Sequence, residues 1–381
     1  MLGGGGTGAE LFVSTSRTDT NPCHCPVSLT APGFALGGSR GLRNMAKLHP
    51  RSDPGAQNVL VDHAPANVPA KTGGFSMKKT LLAAFAASTM LIAAPALAQQ
   101  PVDWDKIQIK TTDLGNKTYR LEGQGGNITL AVGSDGLIMV DTQFAPLSDK
   151  IKAAVKAISP LPIKYIILTH FHGDHTGGVA NFQKDGIVAL AQDNIRLRLL
   201  GGTTNGTTGN KMAPLSGDAI PKETYIGGTK TIEVGGRKAI LTHYYNAHTD
   251  GDTGVFFPDA NVIATGDIMN NNHGYQQVDY ANGGDIRGMI RATDDWLKMA
   301  NDQTKVQTGH GPLGNKKSIA DFNEMVKAAR EKVEKLVREG KTEAEVVAAD
   351  PLKELTATWG TANPQAGVNM TKQVYNSFKR S

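Results

Sequence analysis

The chain of 381 residues has two cysteines, Cys23 and Cys25, and both stand far upstream of everything else that looks chemical. From Gln99 onward there is no thiol, which excludes disulfide staples, cysteine metal ligation and thiol nucleophilic catalysis there. Cys23-His24-Cys25 has one-residue spacing in a Gly/Pro-rich stretch, a poor match to a zinc motif. A standing charge excess is also lacking. The formal net charge of +5 first suggests a polyanionic partner. Residues 1–98 hold 8 basic and 4 acidic side chains, however, leaving 32 against 31 beyond them, a net of +1. That balance argues against nucleic acid. Short internal repeats are absent, and only one long apolar run occurs, over residues 81–94.

That run organises the N-terminal part. Residues 1–76 contain 12 Gly and 7 Pro with no sustained helical or strand period, the pattern of a disordered or untranslated extension. At Met77 the character changes. Lys78 and Lys79 precede the apolar run, and Pro95-Ala96-Leu97-Ala98 supplies a small-residue cleavage site before Gln99. Residues 77–98 therefore read as a signal peptide, with Met77 as the expected start and a periplasmic or secreted mature chain without a stable membrane anchor. Its oligomeric state is left open.

Past Gln99, short buried strands alternate with amphipathic helices. Strands are expected over 127–132 and 137–141 around the turn Gly133-Ser134-Asp135-Gly136, and over 164–169, 187–191, 231–234, 238–242, 254–257, 262–265 and 305–308. Helices are expected over 146–158, 285–299, 317–337 and 343–349. Two successive sets of strands with interspersed helices indicate an α/β sandwich of two packed sheets covered by helices. A domain over 99–316 and a C-terminal helical segment over 317–381 follow. The glycine-rich loop 201–209 lies between the halves and is a candidate rim for a substrate site.

The strand at 164–169 runs into His170-Phe171-His172-Gly173-Asp174-His175, four metal-competent side chains in six residues. His170 and His172, two apart on an extended segment, point the same way, and the turn at Gly173 redirects Asp174 and His175 to a second position. This suits two metals. Of the other histidines past the leader, His248 and His310 sit at strand-to-loop junctions beside glycine or small residues, as does the acid Asp267. His243, at a strand end, reads as packed or behind the ligands. His273, in an Asn-rich loop, reads as a surface or substrate-contacting residue.

His170-x-His172-x-Asp174-His175, followed in order by His248, Asp267 and His310, resembles the metallo-β-lactamase superfamily, from about Tyr119 to Gly311. The resemblance implies a four-layer αβ/βα sandwich with its site along one edge. It makes His170, His172 and His248 the ligands of one zinc and Asp174, His175 and His310 those of the other, with Asp267 bridging them. Asp141, closing its strand, matches the family's structural acid behind the metal loop. Two zinc ions per chain are implied; the absence of a thiolate leaves iron or manganese open. The expected chemistry is a metal-bound hydroxide attacking a carbonyl, with Asp174 as the catalytic acid/base.

Where the cysteine-bearing lactamases carry their thiol this chain has Asp267, and where they carry a substrate-gripping lysine it has Asn270, a possible substrate contact. The pattern is closer to the superfamily's ester, thioester and lactone hydrolases, with a small-molecule substrate. Alternatives are a true β-lactamase and a mononuclear iron sulfur dioxygenase of the same fold. Trp296, Trp359, Tyr244, Tyr245 and Tyr275 read as core residues.

Overall fold

Glycine turns and short β-branched runs set the order of the chain. The computed structural model describes residues 102–360 and 363–379, all within Ala93–Ser381. The expected extension 1–76, the expected signal peptide 77–98 and both cysteines lie outside the described residues. The first half builds β1 (Lys110–Gly115), β2 (Thr118–Glu122), β3 (Ile128–Val132) and β4 (Leu137–Val140) as an antiparallel meander. Helix α1 (Ser148–Ile158) then crosses over to β5 (Ile163–Ile167), which lies parallel to β4. The one-turn α2 (Gly173–Thr176) and α3 (Val179–Gln183) lead to β6 (Val188–Gln192), followed by α4 (Asp193–Gly201). A small hairpin, β7 (Thr203–Thr204) with β8 (Lys211–Met212), precedes β9 (Glu223–Tyr225). The order of this seven-stranded sheet is β1-β2-β3-β4-β5-β6-β9.

The second half repeats the plan. Strands β10 (Thr229–Val234), β11 (Arg237–His243), β12 (Thr253–Phe257) and β13 (Val262–Gly266) are antiparallel. Helix α5 (Ile286–Met299) crosses to β14 (Lys305–Thr308), parallel to β13. The chain continues through α6 (Lys316–Arg338), α7 (Glu343–Ala348), α8 (Lys353–Trp359) and α9 (Ala366–Phe378). Asn315 and Ser318 form a reciprocal capping box that starts α6.

Burial explains the layering. All four residues of β4 are buried, so the strand has no solvent face. Leu137 and Met139 face a core that includes Ile151 and Val155 of α1 and Phe182 of α3. Ile138 and Val140 face a second core shared with Leu241, Val255 and Val262 of the other sheet. A third core joins Ile263 and Val306 to Met289 and Trp296 of α5 and to Phe322 and Val326 of α6. Three cores separate four layers, helix-sheet-sheet-helix, as expected. Each fully buried Leu, Ile or Phe in them contributes about 1.5–3 kcal/mol. No helix among the described residues is long and apolar enough to cross a membrane.

Candidate metal centre

Four segments bring the chemical residues to one edge, beyond the ends of β4, β5, β13 and β14. Asp141 follows β4 with a left-handed φ of 66° and is buried. Its Oδ1 accepts the Thr169 N–H and its Oδ2 the Thr169 hydroxyl, both at 2.8 Å. The same Oδ2 lies 2.8 Å from His175 Nδ1. One carboxylate therefore fixes both ends of the histidine run, the supporting position expected for Asp141.

Each histidine of the cluster except His310 has one ring nitrogen fixed from behind. His170 Nδ1 lies 3.1 Å from Thr169 Oγ1, and His248 Nδ1–H donates to the Gln277 carbonyl at 2.7 Å. His172 uses Nε2, 3.0 Å from Asp279 Oδ2. These contacts select the tautomer and aim the other nitrogen of each ring inward. The inward atoms of His170, His172 and His248 lie within 4.8 Å of one another, as do those of Asp174, His175 and His310, and those of His170, His175 and Asp267. Asp267 stands between the two outer triads. Its Oδ1 is 3.3 Å from His175 Nε2, and its Oδ2 is 3.5 Å from His310 Nε2 and 3.9 Å from His170 Nε2. All seven sequence-derived ligand candidates thus meet at one place.

The donor set fits metal ions. His170 Nε2 is buried without a hydrogen-bond partner among the described residues. His248 Nε2 and His172 Nδ1 face each other at 3.0 Å, and His175 Nε2 and His310 Nε2 at 3.4 Å. Two imidazole lone pairs at such distances repel unless a proton or a cation lies between them. Imidazole and carboxylate without thiolate suits zinc, manganese or iron.

Charge divides the cluster into unlike halves. Burial, reinforced by His175, pushes His170 well below its usual pKa; burial and His172 push His248 down to about 4. On the other side burial opposes the charged forms, but the ion pairs win. Asp267, Asp174 and Asp141 hold His175 well above the usual imidazole value, and hydrogen bonding to Asp174 and Asp267 lifts His310 to about 10. Against their own burial, Asp174 and Asp267 are drawn below the usual carboxylate range, chiefly by His175. A depressed pKa makes Asp174 a carboxylate at neutral pH.

A cleft of about 550 Å³ opens over His172 and Asp174, walled by Phe144, Asn205, Thr208, Lys211 and Met212 among others. The 201–209 loop thus supplies part of its rim, as its composition suggested. Other expectations shift. His243 Nδ1 faces the Asp252 carbonyl at 3.0 Å and its ring lies on Tyr245 at 4.1 Å. Its link to the cluster is indirect, through Asp252, which accepts from Thr249 beside His248. Asn270 is buried, with Oδ1 near the Asn272 N–H, and His273 is exposed, its ring 5.9 Å from Trp359. Neither is among the residues that line the cleft. Trp296 and Tyr244 are core residues as expected, but Tyr245 is 54% exposed and Tyr275 and Trp359 line a cavity. Asp279 and the Gln277 carbonyl were missed: a lone acid in Val278-Asp279-Tyr280 and a backbone oxygen carry no motif.

A His/Asp cluster at one edge of a four-layer αββα sandwich defines a metal-site protein of the metallo-β-lactamase fold. A family model described as the metallo-beta-lactamase superfamily matches residues 121–301, which supports the resemblance carried by the histidine and aspartate motif. Among curated proteins it is similar to the 2,4-dinitroanisole O-demethylase subunit alpha of Nocardioides sp., 30% identical over 146 residues, 37% of this chain and 40% of that protein. It is also similar to the linear primary-alkylsulfatase of Pseudomonas sp., 49% identical over 49 residues, 13% of this chain and 9% of that protein. The matched stretches therefore span less than half of either relative. Among solved structures, a double mutant of a sec-alkyl sulfatase aligns with a TM-score of 0.56 at 16% identity, covering 71% of this chain and 50% of that one. The stereoselective inverting sec-alkylsulfatase from Pseudomonas sp. aligns at 0.53 and 14% identity, with the same coverages. At such identities the likeness is one of fold.

Proposed function

We propose that the protein is an exported metal-dependent hydrolase of small molecules, holding two zinc ions, that cleaves an ester, lactone, thioester or β-lactam carbonyl. The observation that carries this reading is the overlap of the ligand triads around Asp267, with His170 Nε2 buried and unpartnered among the described residues. His170, His172 and His248 would hold one ion and Asp174, His175 and His310 the other, with Asp267 between them. When bound, such ions lower the pKa of water and polarise a substrate oxygen, so no serine or cysteine nucleophile is needed. The chain's own residues do the rest. Asp141, Asp279 and the Gln277 carbonyl hold three imidazole rings in orientation. Asp174, at the cleft floor with Oδ2 3.0 Å from His310 Nε2, accepts a proton from the attacking water and returns it to the leaving group. Phe144 and Met212 keep part of the cleft apolar while Lys211 offers one cation.

A second reading, cleavage of a sulfate ester, is favoured by Lys211 on the cleft wall and by the names of the alkylsulfatase relatives. The test is a hydrolysis panel run on wild type and Asp174→Asn: an aryl ester, a lactone, a thioester, a chromogenic cephalosporin, an alkyl sulfate and an aryl methyl ether. We expect one class to be turned over and the variant to lose about 10²–10⁴-fold in kcat. Background rates throughout, or an unchanged variant, would defeat the proposal. Metal analysis of protein purified without added metal separates this reading from an iron dioxygenase: one iron per chain with no zinc would eliminate the hydrolase.

A further inference from the structure

The β7–β8 hairpin, the loop 271–279, Gly360, Asn363 and α9 border a second cavity, of about 460 Å³, beside the cleft. Thr208 and Gln277 line both, so the two form one depression in two compartments. No described residue lining the second compartment carries a charge. Most of its polar side chains are amides, and three of them are oriented by backbone N–H groups. Asn272 Oδ1 accepts the Gly274 N–H at 3.0 Å, Asn363 Oδ1 the Gln365 N–H at 2.8 Å, and Gln373 Oε1 the Val278 N–H at 2.9 Å. A backbone N–H can meet only the oxygen of an amide, so the NH2 group of each side chain is left out of that contact. Behind the surface of the wall, Gln277 Nε2 and Thr207 Oγ1 are buried without a partner among the described residues. Tyr275 and Trp359 add aromatic surface.

A wall of uncharged donors and aromatic rings discriminates chemically. A carboxylate or sulfate placed there would lose water and find no cation, and an alkyl chain would leave the donors unsatisfied. A neutral group rich in oxygen acceptors, such as a sugar ring or an amide carbonyl, satisfies both the donors and the rings.

We propose that this compartment is a substrate subsite for an uncharged, oxygen-acceptor-bearing group, while the reacting bond lies in the compartment over His172 and Asp174. Gln277 couples the two: its carbonyl fixes His248, and the residue borders both compartments. The placement of the reacting bond rests on the hydrolase reading; the binding preference does not. Tryptophan fluorescence of the zinc-loaded full chain is titrated with hexyl glucoside, N-hexylacetamide, hexanesulfonate and hexyltrimethylammonium. At least one neutral probe should bind about tenfold more tightly than either charged probe, and which one does so separates sugar from amide recognition. Asn363→Asp keeps the acceptor for Gln365 but replaces the donor with an anionic oxygen at an exposed position, so it should remove most of that advantage. Trp359→Ala, with binding read by calorimetry, should do the same. Equal affinity for neutral and charged probes, or an unchanged preference in both variants, overturns the subsite. Turnover of a tail-free aryl acetate is followed in the same preparations. Turnover without the neutral preference sinks the subsite alone, whereas the preference without turnover of any panel substrate sinks the hydrolase reading alone.

Discussion

Asp141 is the residue on which the histidine run depends, because its two oxygens serve Thr169 and His175 together. Asp141→Ala should lower zinc affinity by about 10–100-fold while the fold survives, measured by chelator competition alongside circular dichroism. Protons compete for the same nitrogens. The pKa of His310 is raised to about 10 in the folded chain, so without metal its proton contributes stability that is fully present below about pH 6.5 and is lost as pH rises through about 10. Metal must displace that proton, and the one that Asp267, Asp174 and Asp141 hold on His175. Zinc affinity should therefore rise with pH from 6 to 9, with proton release visible as a buffer-dependent heat of binding; a flat profile would refute the assignment of these two rings as ligands. The seven ligand candidates were legible in the sequence because histidine is scarce after residue 98 and gathers at strand ends. Asp279 was not, because an isolated acid acquires its role only when its loop folds back 3.0 Å from His172.

At the level of elements, the loop after β14 must pass very close to the cluster. A Cβ on Gly309 would stand 2.1 Å from Asp267 Oδ1 and 2.9 Å from His175 Cε1. Gly309→Ala should fold, lose about 1–3 kcal/mol to overpacking, and bind one metal fewer per chain by elemental analysis. The C-terminal helices neither cover the cleft nor merely pack on the outside. Gln373 of α9 accepts the Val278 N–H, and Trp359 of α8 accepts the Tyr275 N–H through its carbonyl at 3.0 Å. They thus brace the loop that carries Gln277 and Asp279. Pattern reading placed β14 over the residues observed and α5 within a residue, since α5 buries one face and starts at an Asp285 cap. It missed α4, whose Leu197 and Leu200 are exposed and blur its apolar stripe, and β1, with one buried residue in six. It also missed α9, whose buried face mixes Thr371, Gln373 and Ser377 with Met370 and Val374.

On the scale of the whole molecule, the ligands are drawn from both halves. His170, His172, Asp174 and His175 follow a strand of the seven-stranded sheet; His248, Asp267 and His310 follow strands of the five-stranded one. Ions bound there join the two sheets at one edge of their shared core. Chelation should consequently lower the melting temperature, and the loss should be restored by zinc in proportion to the logarithm of its free concentration. An unchanged melting temperature would mean that the cluster holds no structural share of the metal energy. The same arrangement bears on the rate of unfolding as well as on its equilibrium. Parting the sheets must break ligand contacts on both sides of Asp267 before water can enter the core, so the metal-loaded chain should open much more slowly than the chelated one. Its lifetime would then be set by metal dissociation.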